Sequence, residues 1–407
     1  MADAATLELP TWKGRTGWEF TDLGDFTLDA WTPASAPEGG WMVETSHHLL
    51  EPPSGAVELM QIDGATGEGS DTQPTSSAGT GHGVVVLPLS VARERHPELV
   101  EPHLGTIVAE DDVFTALNSS QWDLGAFVYV PRGVHVEAPI LLTAVTAAAG
   151  TILHRRVLVV LDEGAQAEVW EQYVSGGSDA TVLNTVVELR VGQNANLRYV
   201  CGQELNERSY IFGAQRAEVA RDGALDWVAL GFGSARGRVR METLLAGPGA
   251  NAKVTGAYAP HARQHVDFDT TQEHAAPNTT SDLAFRGILA DRSSAVWRGM
   301  IKVDPGAQQT DAFQVCRNLL LSKKAHADAI PGLEILANDV RCTHAAAVAQ
   351  IDKEQLFYLR SRGLDKVTST RLVIEGFMAE LVERFEEGPM RDALAAALEQ
   401  RLAALLD

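Results

Sequence analysis

Cys342 and His344 stand two residues apart in the stretch NDVRCTHAAA. Side chains at i and i+2 of a strand share a face, so a strand here presents a thiol and an imidazole side by side. Iron–sulfur clusters take thiolate ligands first and imidazole as an occasional substitute. The same two residues also describe a small buried thiol beside a hydrogen-bonded histidine. Cys316 lies 28 residues before His344 in DAFQVCRNLLLS, and Cys201 completes the set of 3 cysteines. So few and so widely spaced, they make neither a disulfide framework nor a zinc ribbon, and they suit a reducing cytoplasm. Cys201 is expected in the core. A second group, PHARQHVDFDTTQEH, holds His261, His265 and His274 with Asp267, Asp269 and Glu273. Alternation puts His265, Asp267 and Asp269 on one face, a donor set for a hard cation. A solvated polar face is the plainer reading and the one expected.

Other chemistry is missing from the chain. There is no G-x-x-x-x-G-K-[ST] phosphate loop, no G-x-S-x-G elbow and no H-E-x-x-H. Gly231, Gly233 and Gly237 in GFGSARG lack the following helix that a nucleotide loop needs, so they read as structural. The net charge of −21 repels nucleic acid and anionic membrane. No apolar run is long enough to span a membrane. The start, MADAATLELPTW, has no basic region leading into an apolar one, so no secretory signal is expected and the cytoplasm is. At 407 residues, 45% hydrophobic and 21% charged, the chain has room for two or three ordinary globular domains.

The elements that must position these residues change character along the chain. Residues 1–120 read as an N-terminal helical and loop region, packed by Trp12, Trp18, Trp31 and Trp41. Within it, 52–83 reads as a flexible linker because Gly, Ser, Thr and Pro crowd there. VVVLPL after it reads as a strand. From 121 to 345, short Val-, Thr- and aromatic-rich runs alternate with turns, as strands do. A turn phrase recurs at Gly164, Asn194, Gly223, Gly249 and Gly306. Gly and Asn tolerate positive φ, so each phrase can be one corner repeated, and a period of this size points to a solenoid. A β-sandwich with ordinary turns spaces strands similarly. Residues 346–407 read as helices. Asp352 can cap the first, with Gln355 reaching back, and Gly363 can end it. Ile374, Phe377, Met378, Leu381, Val382 and Phe385 form one apolar face of the second. Met390, Leu394, Leu398, Leu402 and Leu405 form the stripe of the third.

The stretch QIDKEQLFYLRSRGLDKVTSTRLVIEGFMAELVERF resembles the C-terminal segment of the SufB/SufD family, scaffold subunits of the SufBCD iron–sulfur cluster assembly complex. LEILANDVRCTHAA resembles the SufD branch more than SufB. FVYVPRGVHVEAPI and, more weakly, GWEFTDL extend the likeness over most of the chain. The resemblance implies a mainly β protein, a right-handed β-helix between a small N-terminal region and a C-terminal helical domain. It implies a scaffold, not an enzyme, that pairs with a SufB-like subunit through the end of the β-helix and docks a SufC ATPase. It further implies no permanently bound cofactor, with a transient iron–sulfur cluster possible at the subunit interface. His344 falls on the SufD histidine implicated there. Its neighbours Thr343 and Ala345 lack the acids that flank the SufB histidine, and the threonine that commonly follows in SufD is also missing. Cys316 falls where SufB has its cluster-building cysteine and SufD usually has asparagine. His344 and Cys316 are thus the expected assembly site, with Cys342 a weaker candidate. Leu356, Phe357 and Tyr358, with Phe377 and Leu381, are expected to hold the helical domain together. Gln355, Arg360 and Arg362 are the expected SufC contacts. A SufB-type scaffold, self-paired and using Cys316, is the alternative. A polysaccharide-acting enzyme on a solenoid would want an export signal, which is not seen.

Overall fold

The computed structural model describes residues 8–10, 17–34, 48–63, 65–66, 83–122 and 124–406. Ahead of the core come β1 (Thr32–Pro33), β2 (Val57–Ile62), β3 (Ala65–Thr66) and β4 (Val85–Pro88). Three short helices follow: α1 (Leu89–Arg95), α2 (Pro97–Val100) and α3 (Val113–Gln121). The core begins with β5 (Leu124–Val130), β6 (Ile140–Thr146), β7 (Thr151–Leu161), β8 (Gln166–Ser175), β9 (Val182–Val191) and β10 (Asn196–Glu204). It continues with β11 (Tyr210–Val219), β12 (Ala224–Gly231), β13 (Arg236–Leu245), β14 (Asn251–Tyr258) and β15 (His265–His274). Last come β16 (Thr280–Leu289), β17 (Ser294–Val303), β18 (Thr310–Leu320), β19 (His326–Ile335) and β20 (Val340–Gln350). The chain then turns helical in α4 (Lys353–Ser361), α5 (Lys366–Val382) and α6 (Pro389–Leu406).

From β5 onward the odd-numbered strands stack in one sheet and the even-numbered strands in another. Neighbours pair in parallel, as β16 with β18 and β17 with β19. The result is a parallel β-solenoid of about eight coils. Alternate residues of both sheets point inward and fill the tube; Tyr199, Trp227, Phe285 and Trp297 have no exposed surface. Truncating one such aromatic side chain costs about 3–5 kcal/mol.

One corner repeats on seven successive coils, from β5–β6 to β17–β18, and explains the turn phrases. Gly133, Gly164, Asn194, Asp222, Gly249, Asn278 and Gln309 all have φ from +53° to +75°. Their N–H groups donate along the solenoid axis, as Asn194 to the Arg221 carbonyl and Asp222 to that of Pro248, both at 3.0 Å. The column corrects the expected one in two places. Gly223 and Gly306 are not left-handed; Asp222 and Gln309 are. Asn278, in a phrase without glycine, is the corner missing from the double gap between Gly249 and Gly306.

The segment expected as a linker contains β2, which pairs in parallel with β6 and buries Gln61 and Ile62. A six-residue strand next to low-complexity sequence gives too little periodicity to see. Residues 67–82 of that segment, and Trp12 and Trp41, lie outside the described residues. Trp18 and Trp31 do pack, with Phe26, Phe114 and Phe212. This N-terminal segment runs along the outside of the odd-strand sheet. β1 pairs with β7, Trp18 lies near Phe212 of β11, and Glu19 reaches Arg298 of β17 at 3.3 Å.

The helices α5 and α6 lie on the outside of the other sheet. Ile374, Met378, Leu381, Phe385, Met390, Leu394, Leu398 and Leu402 are buried, in one cluster with Val200, Val228, Leu230 and Ile288. The expected stripes are therefore the packed ones, with Phe377, Val382 and Leu405 at the margin. Arg384 binds Asp282 at 3.2 Å and Arg401 donates to the Ala259 carbonyl at 2.8 Å, fixing the helices to particular coils. Asp352 caps α4 by accepting from the Glu354 N–H at 2.8 Å. Gly363, at φ +91°, ends it, and Asp365 caps α5 through the Thr368 N–H at 2.8 Å.

Candidate functional site

The two ends of the solenoid differ. At the first coil β4 runs antiparallel to β5 and β3 antiparallel to β2, while α1 and α2 cover Phe127 and Leu158. At the last coil β19 and β20 end their sheets, with no further strand among the described residues. Their outward backbone N–H and C=O groups have no ladder partner, which makes them a template for another strand. Phe313, Leu333, Ile335, Leu336 and Val348 are exposed on these last coils. Proteins rarely leave long apolar edges bare.

The expected ligands cluster at this end. Cys342, His344 and Ala346 of β20 pair in register with Ala312, Gln314 and Cys316 of β18. In β18 those three residues face the core and are buried. Cys342 and His344 therefore occupy the inward-facing row, but on a strand with nothing above it. His344 is exposed and Cys342 half-buried. Burial pushes the Cys342 thiol above its ordinary pKa, and Asp311 adds to the shift. The His344 side chain makes no hydrogen bond or ion pair among the described residues. Directly below it Gln314 donates to the Gly299 and Gly332 carbonyls at 3.2 and 3.1 Å.

Cys316 lies one coil down and two residues along, diagonal to His344. It has no exposed surface, and its Sγ is 3.5 Å from both the Tyr258 hydroxyl and the Asn318 amide nitrogen. Burial pushes its pKa to about 12. As a thiol it is a core residue; as a ligand it would have to lose its proton inside the tube. Cys201 is also buried, farther from this end and beside the fully buried Arg155–Glu171 pair, and burial with the Glu171 charge pushes it to about 12.

Gln355, Arg360 and Arg362 are exposed on α4 and its C-terminal turn. Phe357 and Tyr358 are not the packing residues expected: they are 75% and 57% exposed. Alone, α4 buries only part of Leu356 and Leu359, and its aromatic face has no cover. With Val367 and Leu372 of α5, also exposed, they make an apolar surface. A groove of about 570 Å³ between the two helices is lined by Gln355, Tyr358, Leu372 and Phe377.

Residues 144–377 match the family model for the SUF system FeS cluster assembly SufBD core domain, and residues 69–142 match that for the SufBD protein N-terminal region. This chain belongs to the SufBD family. Iron-sulfur cluster assembly protein SufD of Bacillus subtilis is 29% identical over 397 residues, covering 95% of this chain and 88% of that protein. An iron-sulfur cluster assembly SufBD family protein of Mycobacterium tuberculosis is 30% identical over 310 residues, covering 74% of this chain and 77% of its own length. The family's work is iron–sulfur cluster assembly, and among the SufBD chain's described residues no helix is long and apolar enough to cross a membrane.

The other polar stretch of this SufBD chain serves the fold. His265 and Asp267 share a face as expected, but it is buried rather than solvated. Thr21 lies 3.0 Å from His265 Nε2, and Arg238 binds Asp267 at 2.6 Å and Asp269 at 2.7 Å. The N-terminal segment sits on this row. His274 points into the tube between Thr279 and Ser281 at 2.8 and 2.9 Å. His261 belongs to Glu207 and Arg401. Among the described residues no His, Cys, Asp and Glu gather as a ready metal site.

Proposed function

We propose that this SufBD chain is a SufD-like scaffold subunit. Its open edge pairs with a SufB-like subunit, and its C-terminal helices dock a SufC-type ATPase. It catalyses nothing alone and keeps no cofactor; the iron–sulfur cluster is cargo, built transiently at the subunit interface. We take the coil as right-handed, the hand that crossovers between parallel strands nearly always adopt.

The observation that carries the reading is the situation of His344: exposed, inward-facing, on an uncapped strand. A strand added to β20 would close over that row and place its own side chains beside the imidazole. Cys342 shares the row, and Cys316 stands behind it as a thiol that must be uncovered to react. The ATPase contact is drawn from α4 and α5, where Gln355, Arg360 and Arg362 ring the exposed Phe357 and Tyr358. ATP-driven pairing of two such ATPases would pull on both scaffolds and open the edge.

Co-expression with a SufB-like and a SufC-like protein, followed by native mass measurement, tests the reading. One copy of each scaffold is expected. Phe357→Asp with Tyr358→Asp should release the ATPase and keep the SufB-like subunit; Leu336→Asp with Val348→Asp should do the reverse. A stable homodimer that carries SufC and refuses the SufB-like chain would replace this reading with the self-paired scaffold.

A further inference from the structure

On a chain of net charge −21, one corner of the solenoid carries the opposite sign. Arg263, Arg292 and Lys324 each stand two residues before register partners: His265, Ser294 and His326, at the starts of β15, β17 and β19. They therefore stack on three successive coils, about 4.8 Å apart. The turns themselves are tied together, since the Arg292 N–H donates to the Ala262 carbonyl at 3.0 Å. All three side chains are exposed, and none makes an ion pair among the described residues. They line a groove of about 850 Å³ with Arg236, Glu207 and Asp291. Both acids already have partners: Glu207 holds His261 at 2.6 Å, and Asp291, within the groove, accepts from the Ala262 N–H at 3.0 Å. Four cations against two acids leave the groove net positive; stacked like charges only partly offset raise the energy of the free protein, and an anionic partner relieves it.

We propose that this corner docks an acidic helical segment of a partner protein, at a surface separate from the α4–α5 face that reaches the open edge only at Lys324, on the turn into β19. The spacing selects the helix. Its pitch is about 5.4 Å, so carboxylates at i, i+3 or i+4, and i+7 fall nearly in step with coils about 4.8 Å apart. An extended strand offers same-side residues only every ~6.8 Å and drifts out of register by the third cation. A long polyanion would feel the whole chain's negative field, whereas a short segment meets mainly the charges within a Debye length, about 8–10 Å.

The test is fluorescence anisotropy on the full chain at low salt, with a labelled alanine-based helical peptide bearing Glu at i, i+4 and i+7. The expected result is binding that weakens with salt and falls at least tenfold in the triple variant Arg263→Gln, Arg292→Gln, Lys324→Gln. The matched control Arg95→Gln, Arg132→Gln, Arg221→Gln removes equal charge elsewhere and should leave affinity unchanged. Equal binding of a Gln-substituted peptide, or equal loss in the control, overturns the proposal. So does tighter binding of inorganic tripolyphosphate, which would make the corner a phosphate site, or of an extended alternating-Glu peptide.

Discussion

Replacing His344 by alanine separates assembly chemistry from folding, because the structure sets the two effects far apart. The His344 side chain is exposed and has no hydrogen bond or ion pair among the described residues. Its removal should change stability by no more than about 0.5 kcal/mol, the range for surface substitutions. If the imidazole binds iron, the functional loss is much larger. Removing even a group that merely orients a metal ligand commonly costs 10–100-fold in affinity, and a ligand's own loss should be no smaller, so cluster yield should drop at least about tenfold. Cys316 reverses the proportions. It is fully buried against Tyr258 and Asn318, so Cys316→Ser should cost about 1–3 kcal/mol whatever its chemistry. Its cluster yield must therefore be read against a melting curve. The assay is reconstitution of cluster in the intact complex, with ATPase rate and denaturant midpoint measured on the same samples. A His344→Ala complex that builds cluster at the wild-type rate refutes the assignment. An unfolding free energy lowered by about 2 kcal/mol or more, the order of magnitude for a lost core contact, would instead make His344 a structural residue.

Iodoacetamide should reach the thiols in the order their burial dictates: at pH 8 Cys342 alkylates in the native protein, while Cys201 and Cys316, both pushed to about 12, react only after unfolding. Peptide mass mapping reads this, and early labelling of Cys316 would show a tube that opens. At the corner, Asn278→Gly should be nearly neutral, whereas Asn278→Val forces a β-branched residue to φ +59° and should cost about 1–3 kcal/mol in urea unfolding. Equal midpoints for the two would remove the column's role. His154 and His274 are held down to about 4 by burial. Between their ordinary pKa of 6.5 and that value the unfolded chain binds protons that the folded one refuses, so stability falls as pH falls, by about 1.4 kcal/mol per unit for each. His274→Gln should flatten that slope whatever its effect at pH 7; an unchanged slope would locate the acid sensitivity elsewhere.

Where the sequence was readable, the cause was local. Strand alternation, the helix stripes and the cap at Asp352 depend on residues within one or two turns. The corner column was only half visible. Glycine marks left-handed backbone plainly at Gly164 and Gly249, but Asp222 and Gln309 adopt it beside a more conspicuous glycine. The His265 row was assigned the right face and the wrong surroundings, because its cover is Thr21, 244 residues away. Phe357 and Tyr358 mislead for a different reason. A surface that waits for a partner has the composition of a core, and periodicity cannot tell which is already filled. His344 stood out by type and spacing, yet its exposure follows from β20 being the last strand, which only the count of coils decides.

The solenoid is laced from outside, and the lacing is uneven. A stack of coils, each touching only its neighbours, tends to melt inward from its ends, one unit at a time. Here two long straps tie distant coils to one another. The N-terminal segment joins β7 to Arg298 on β17, and α5 with the turn after it joins β14 to Arg317 on β18 through Arg384 and Glu380. Coils held by both straps must come apart together, so their amides should exchange with solvent as one slow, cooperative block. β19 and β20 lie past the last of these ties. They should exchange first, by independent fraying, and become protected only when another strand is laid against them.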